Sequence, residues 1–383
     1  MHRDTTKRFG ASSTRKERSA MFTFTGGSSS RTVSRVAALT AAGALAIGLA
    51  ACSGGRGDDS GAGSTSSAGT EVTKFALVAP ENESDFGWNQ AGLMGADQAA
   101  TDLGIEVTLV PDAGWDNAET VLGQVADGGA QFIIAHASGY GVAATSVAQD
   151  KNVPILIQDA GDNIPGKIAV TKTEAQEGGY LAGIAAAMTT KSKTIGIVVS
   201  ADDLNWFKMA AGFAEGVYSV DPSINVLYTS VGPAAYADAA GGKTATEQLI
   251  ASGADVIFGM GDGATHGYLQ AVEAAPGVKY IADIGDVTSG LSDPSVLLTS
   301  VLWNYGPTYE KAIADVEAGT FGQQGYDLTV DNGGLSLQET ENLTSQIQSA
   351  IDTAKKGIAD GSIKPTAAST ADEVTAVIAK KGA

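Results

Sequence analysis

From Glu71 onward, short β-branched runs alternate with longer stretches of helical spacing, and few arrangements other than parallel βαβ units satisfy that alternation. Strands are expected at Phe75 to Ala79, Ile105 to Val110, Gln131 to Ala135, Val153 to Gln158, Thr194 to Val199, Asn225 to Thr229, Asp255 to Gly259, Lys279 to Asp283 and Val296 to Leu302. Helices such as Asn89 to Asp102, Glu174 to Thr189 and Asp238 to Ser252 fall between them. So many strands overfill one sheet, and roughly 310 residues exceed one core, so an α/β fold of two parallel-sheet lobes is expected. The division is expected near Thr173, with 73–172 and 284–305 in an N-terminal lobe and 173–283 and 306–383 in a C-terminal lobe.

The N-terminal segment points to export. Arg31 and Arg35 precede an apolar stretch from Ala37 to Ala51, too short for a permanent membrane helix of about 20 residues, that ends in Leu49-Ala50-Ala51-Cys52. Residues 1–51 therefore read as a signal peptide, and Met21 offers a second start that would make the first twenty residues an over-extended leader. Cys52 is the only cysteine, so it has no partner for an internal disulfide. Its setting resembles a bacterial lipobox, in which the thiol is acylated and becomes the mature N-terminus. The Ser/Gly/Ala/Thr-rich stretch that follows makes 52–72 a lipidated cysteine with a flexible tether. The expected location is the outer face of the cell membrane, held by lipid.

Residues 1–51 hold eight of the 24 basic and two of the 43 acidic residues, which leaves the rest with a net charge of −25. Nucleic acid and anionic membrane surfaces are poor partners for such a surface. After Arg56 there is no arginine, so the folded region lacks the guanidinium fork that grips carboxylates and phosphates, and an anionic ligand is disfavoured.

Open parallel sheets bind ligands where loops converge at the carboxyl ends of their strands. All four tryptophans fall there: Trp88 after the first expected strand, Trp115 after the second, Trp206 after the strand at Thr194 and Trp303 after the strand at Val296. Each has a carboxylate or amide beside it, namely Asp85 and Asn89, Asp116 and Asn117, Asp203 and Asn205, and Asn304. A flat aromatic face with short polar groups at its edge suits a sugar ring or a nucleobase with its ribose. One such tryptophan could merely cover a sheet edge; four at four strand ends are harder to dismiss. Phe207 beside Trp206 is an alternative stacking surface from the second lobe.

The run Asp85-Phe86-Gly87-Trp88-Asn89-Gln90 with Gly95 resembles the Asp-x-x-Phe-Asn-Gln segment of the basic membrane protein (Bmp) family of substrate-binding lipoproteins. Glu177-Gly178-Gly179-Tyr180-Leu181-Ala182-Gly183, Lys193-Thr194-Ile195-Gly196, Gly212-Phe213 with Gly216, Gly253-Ala254-Asp255-Val256-Ile257 and Leu298-Thr299-Ser300 resemble that family's later landmarks, in order. The resemblance implies a type I periplasmic-binding-protein fold, two α/β lobes joined by three crossing segments, serving the permease and ATPase of an ABC importer. It also implies a purine nucleoside as ligand. Asp85 and Asn89 would contact it, Trp88 would stack on the base, and Asp283 or Asp286 would hold the ribose. Where nucleoside-binding relatives carry a lysine three residues after the Thr-Ser pair, this chain has Trp303, so a simple sugar is the rival ligand.

An enzyme reading rests on Gly259-Met260-Gly261-Asp262-Gly263-Ala264, which fits a dinucleotide turn with Asp283 about twenty residues on. It sits deep in the chain instead of opening the first βαβ unit, and no NAD or other cofactor is expected. Only His136 and His266 follow the leader, too few for a histidine-based catalytic or metal site. Asp202-Asp203 read as a helix N-terminus, since adjacent carboxylates cannot straddle a scissile bond.

Overall fold

The runs Phe-Ala-Leu-Val, Phe-Ile-Ile-Ala and Ile-Leu-Ile-Gln are apolar without alternation, as strands covered on both faces must be. In the computed structural model, which describes residues 69–381, they lie inside a parallel sheet. The strands are β1 (Lys74–Val78), β2 (Glu106–Val110), β3 (Phe132–Ala135), β4 (Ile155–Gln158), β5 (Ile168–Thr173), β6 (Thr194–Val199), β7 (Asn225–Ser230), β8 (Val256–Met260), β9 (Lys279–Ala282), β10 (Leu297–Trp303), β11 (Tyr326–Leu328) and β12 (Leu335–Leu337). The helices are α1 (Trp88–Leu103), α2 (Ala118–Asp127), α3 (Gly141–Asp150), α4 (Ala175–Thr189), α5 (Leu204–Val220), α6 (Ala239–Ala251), α7 (Thr265–Glu273), α8 (Gly306–Glu317), α9 (Ser345–Ala359) and α10 (Ala371–Lys380). The signal peptide and the acylated Cys52 expected from the sequence lie outside the described residues.

Two six-stranded sheets result, in the orders β11-β5-β4-β3-β1-β2 and β12-β10-β9-β8-β6-β7. Every pairing is parallel except β12, which runs antiparallel to β10. The edge strands β2 and β7 are half-exposed, and β11 and β12 are three residues each, which limits edge-to-edge pairing. In each sheet the chain reverses direction of winding at one place, between β1 and β3 and between β6 and β8, and a crevice opens there at the strand ends.

The lobe boundaries differ from the expected ones. β10 pairs with β9, Leu297 opposite Tyr280 and Ser300 opposite Ala282, so 297–303 belongs to the second lobe and not the first. The chain then crosses at Asn304 and Tyr305, α8 packs on α1, and β11 extends the first sheet beside β5. Residues 306–328 therefore lie in the N-terminal lobe, against the expectation. The reason is tertiary: Gly95 on α1 leaves room for the Tyr305 backbone, where a Cβ would stand 2.8 Å from the Tyr305 Cβ. Three crossings join the lobes, at Glu174, at Asn304–Tyr305 and between β11 and β12.

The Gly178–Gly183 and Gly212–Gly216 landmarks have a packing role. Cβ atoms added at Gly179 and Gly183 would lie 2.2 and 2.1 Å from the carbonyls of Met209 and Phe213, and at Gly212 and Gly216 2.1 Å from those of Gln176 and Tyr180. α4 and α5 thus approach backbone to backbone, closer than side chains would allow.

Candidate ligand-binding site

Between the lobes, at the carboxyl ends of the strands, lies a cavity of about 280 Å³. All four tryptophans line it, Trp88 and Trp115 from the first lobe and Trp206 and Trp303 from the second. Asn89 and Asn205, Tyr236, Ser138 and the carboxylates of Glu81, Asp159, Asp203 and Asp262 complete the wall, with no lysine, arginine or histidine.

Trp88 begins α1 and is held from three sides. Its Nε1 donates to the Tyr305 hydroxyl at 2.7 Å, its backbone N–H donates to Asp262 Oδ1 at 3.2 Å, and its carbonyl lies 2.8 Å from His136 Nε2. His136 is fully buried, and burial drives its pKa down to about 4, so the ring is neutral. The neutral ring donates from Nε2 to Trp88 and accepts the Tyr309 hydroxyl at Nδ1, 3.2 Å away. The indole and imidazole centroids are 4.9 Å apart.

Asp85 is consumed by the chain itself. Its Oδ1 accepts the N–H groups of Gly87 and Gln90, and its Oδ2 accepts both the backbone and the side-chain N–H of Asn89, at 2.8 to 3.1 Å. It is buried and does not line the cavity. Asp203 caps α5, accepting from Asn205 and Trp206 as an N-terminal acid should. Asp159 Oδ2 accepts from Asn205 Nδ2 at 3.1 Å across the lobes, and burial raises its pKa to about 6. Asp262 is raised well above the carboxylate range, by burial first and then by the charges of Asp85 and Asp283.

Several expected contacts sit elsewhere. Phe207 is packed in the apolar core, because only the Trp206 side of α5 faces the cavity. Asp283 is buried under Trp206 with Oδ2 unpartnered, its pKa raised by burial to about 7. Asp286 is exposed, caps Thr288 and lines a separate cavity behind Trp303 together with Asn304, whose Oδ1 accepts from Gly306. Neither Asp283 nor Asp286 lines the cavity between the lobes. Trp115 is half-exposed at the lip, its Nε1 3.3 Å from Glu81. His266 is exposed against Phe86, 5.0 Å between ring centroids. The Gly259–Ala264 turn meets Gly87 across the lobes, where a Cβ would come within 2.2 Å of Asp262 Oδ1.

Glu81, Asp159, Tyr236 and Asp262 were not anticipated. Glu81, Asp159 and Asp262 lie within three residues of the ends of β1, β4 and β8, so a survey of strand ends for polar groups as well as indoles would have found them. Asp159 and Ile284, which line the cleft, carry left-handed φ of 57° and 60°.

Residues 72–366 match the Bmp family, described as ABC transporter substrate-binding protein, PnrA-like. The chain belongs to that family. This Bmp protein is 32% identical over 205 residues to the ABC transporter nucleoside-binding protein BmpA of Lactococcus lactis, covering 49% of this chain and 57% of the relative. It is 27% identical over 236 residues to the CD4+ T-cell-stimulating antigen of Listeria monocytogenes, covering 57% and 65%. The chain thus spans less than two thirds of the length of these curated relatives. Among solved structures it is similar to an ABC transporter solute-binding protein from Conexibacter woesei, with TM-score 0.66, 21% identity and coverage of 77% of this chain and 99% of that one. It also resembles the arabinose-binding AraP of Geobacillus stearothermophilus, with TM-score 0.55, 17% identity and coverage of 71% and 98%. The Bmp protein therefore has the two-lobed fold of ABC solute-binding proteins.

Proposed function

We propose that this Bmp protein is the extracytoplasmic receptor of an ABC importer and that it holds a purine nucleoside between its lobes. The observation that carries the reading is one cleft in which indoles from both lobes meet two asparagine side chains. The indole faces take the base from either side, and polar groups at their edges take its rim and the ribose. The nucleoside-binding relative supports this choice of ligand. Trp88 and Trp206 are the stacking pair, and of the two expected ribose contacts Asp283, beside Trp206, is preferred to the exposed Asp286. No catalytic step is proposed. Closing the lobes on the ligand presents the surface that permease and ATPase subunits read.

The indoles supply the assay. Adenosine, guanosine and inosine are titrated against intrinsic fluorescence beside common pentoses and hexoses. Quenching or a spectral shift with a purine nucleoside is expected. Silence from all three nucleosides with a response to a monosaccharide overturns the nucleoside reading in favour of a sugar receptor.

The chain is held to the membrane through an acylated Cys52, in a segment outside the described residues. Cys52→Ser is expected to release the protein into the medium; unchanged membrane retention contradicts the anchor.

A further inference from the structure

The cleft's hydrogen-bonding groups are lopsided. Asn89 donates its side-chain N–H to Asp85, and Asn205 donates its own to Asp159, both carboxylates that can only accept when ionised. These bonds fix both amides with their oxygens as the remaining groups. Asn89 Oδ1 and Asn205 Oδ1 are buried without a partner, in residues only 3% and 8% exposed that line the cavity from opposite lobes. The indole N–H groups of Trp88 and Trp115 are spent on Tyr305 and Glu81. Trp303 Nε1 is buried without a partner, and the Trp206 side chain reaches the Asp283 carboxylate. The cation nearest the wall carboxylates, Lys208, turns its amine to the Thr173 carbonyl at the crossing.

From this we infer that the site selects a ring bearing N–H donors on both edges, and accepts positive but not negative charge on it. The Tyr236 and Ser138 hydroxyls can turn to either kind of partner, so the fixed preference comes from the two orphaned amide oxygens, which amino groups satisfy and acceptor-rich edges leave unpaired. A cationic ring gains further from the indole faces and the carboxylates. Asp85 is then a positioning residue for specificity: it holds the Asn89 amide with its acceptor inward and touches no ligand. The inference rests on the cleft being the ligand site and narrows the nucleoside reading to amino-bearing bases.

The test compares matched pairs by calorimetry on the folded, unanchored protein. Guanosine and inosine differ only in the 2-amino group, and guanosine is expected to bind at least about tenfold tighter. Equal or tighter binding of inosine overturns the inference. A second pair carries no ribose: 1-methylnicotinamide, a permanently cationic ring, against neutral nicotinamide. Preference for the cation is expected, and preference for the neutral ring overturns the inference. If every nucleoside is silent while the cation still binds in preference, the nucleoside reading and donor selection fail and only the preference for positive charge stands. Silence from all four compounds overturns both. Asp85→Asn frees the Asn89 amide to flip, so the guanosine-to-inosine ratio is expected to fall towards one. An unchanged ratio in the folded variant removes Asp85 from specificity; should the variant not fold, the wild-type ratios decide.

Discussion

Trp88 uses its ring face and its ring edge for different purposes: the face lines the cleft, while Nε1 ties the indole to Tyr305 at a lobe crossing. The two can be separated. Trp88→Ala is expected to weaken nucleoside binding by roughly 10- to 100-fold with circular dichroism unchanged, the range lost when a stacking surface is removed. Trp88→Phe keeps a face without the N–H and should retain most of the affinity; if it loses as much as alanine, the tie to Tyr305 matters more than stacking. Behind Trp88, His136 sets a pH response. Its pKa is about 6.5 unfolded and about 4 folded, so the unfolded chain binds the extra proton between those values. Its contribution is present above pH 6.5 and is lost as the pH falls through 4, up to roughly 3 kcal/mol in all. Asp159 and Asp283 act with the opposite sign, since burial raises them to about 6 and about 7 and their contribution is lost as pH rises through those values. As the pH is lowered from 7 to 4, the urea midpoint of the wild type should therefore drop relative to that of His136→Phe. Parallel pH profiles would show that the imidazole is not the acid-sensitive group.

At the scale of elements, α4 and α5 show how a sequence landmark can be packing. Gly179→Ala places a methyl against the Met209 carbonyl, and the expected cost is about 2–3 kcal/mol even though alanine favours a helix by about 1 kcal/mol. Gly123→Ala on α2, where nothing lies within 4 Å, should instead stabilise by up to about 1 kcal/mol. Denaturant midpoints for the pair test this, and a neutral Gly179→Ala would mean that the helices can part freely. Nine strands were legible because each is a sustained apolar run with β-branched residues. β5, β11 and β12 were not. Tyr326–Leu328 and Leu335–Leu337 are too short to show a period, and they become strands only because Thr171 and Val301 offer open edges to pair with.

At the scale of the molecule, the lobes touch through Trp88 to Asp262 and Asn205 to Asp159, two hydrogen bonds at the mouth of one cleft. Asp262 is costly to bury, so Asp262→Ala should loosen the closure without lowering the melting temperature. A larger radius of gyration by small-angle scattering of the ligand-free variant is expected; an unchanged radius would mean that other contacts hold the lobes together. Two lobes and a cleft lined by tryptophan were readable in the chain, since apolar runs, strand ends and indoles are local features. The return of α8 and β11 to the first lobe was not, because nothing near residue 306 states which sheet lies within reach. The same limit explains the site. Sequence by itself determined the two parallel sheets, the loops that face one another and the absence of any guanidinium among them. Tertiary structure alone decided that Asp85 spends its carboxylate on Asn89, that Phe207 turns into the core, and that Glu81, Asp159 and Asp262 close the wall. Hydrogen-bond partners and burial depend on distances between residues far apart along the chain, and no local pattern encodes those.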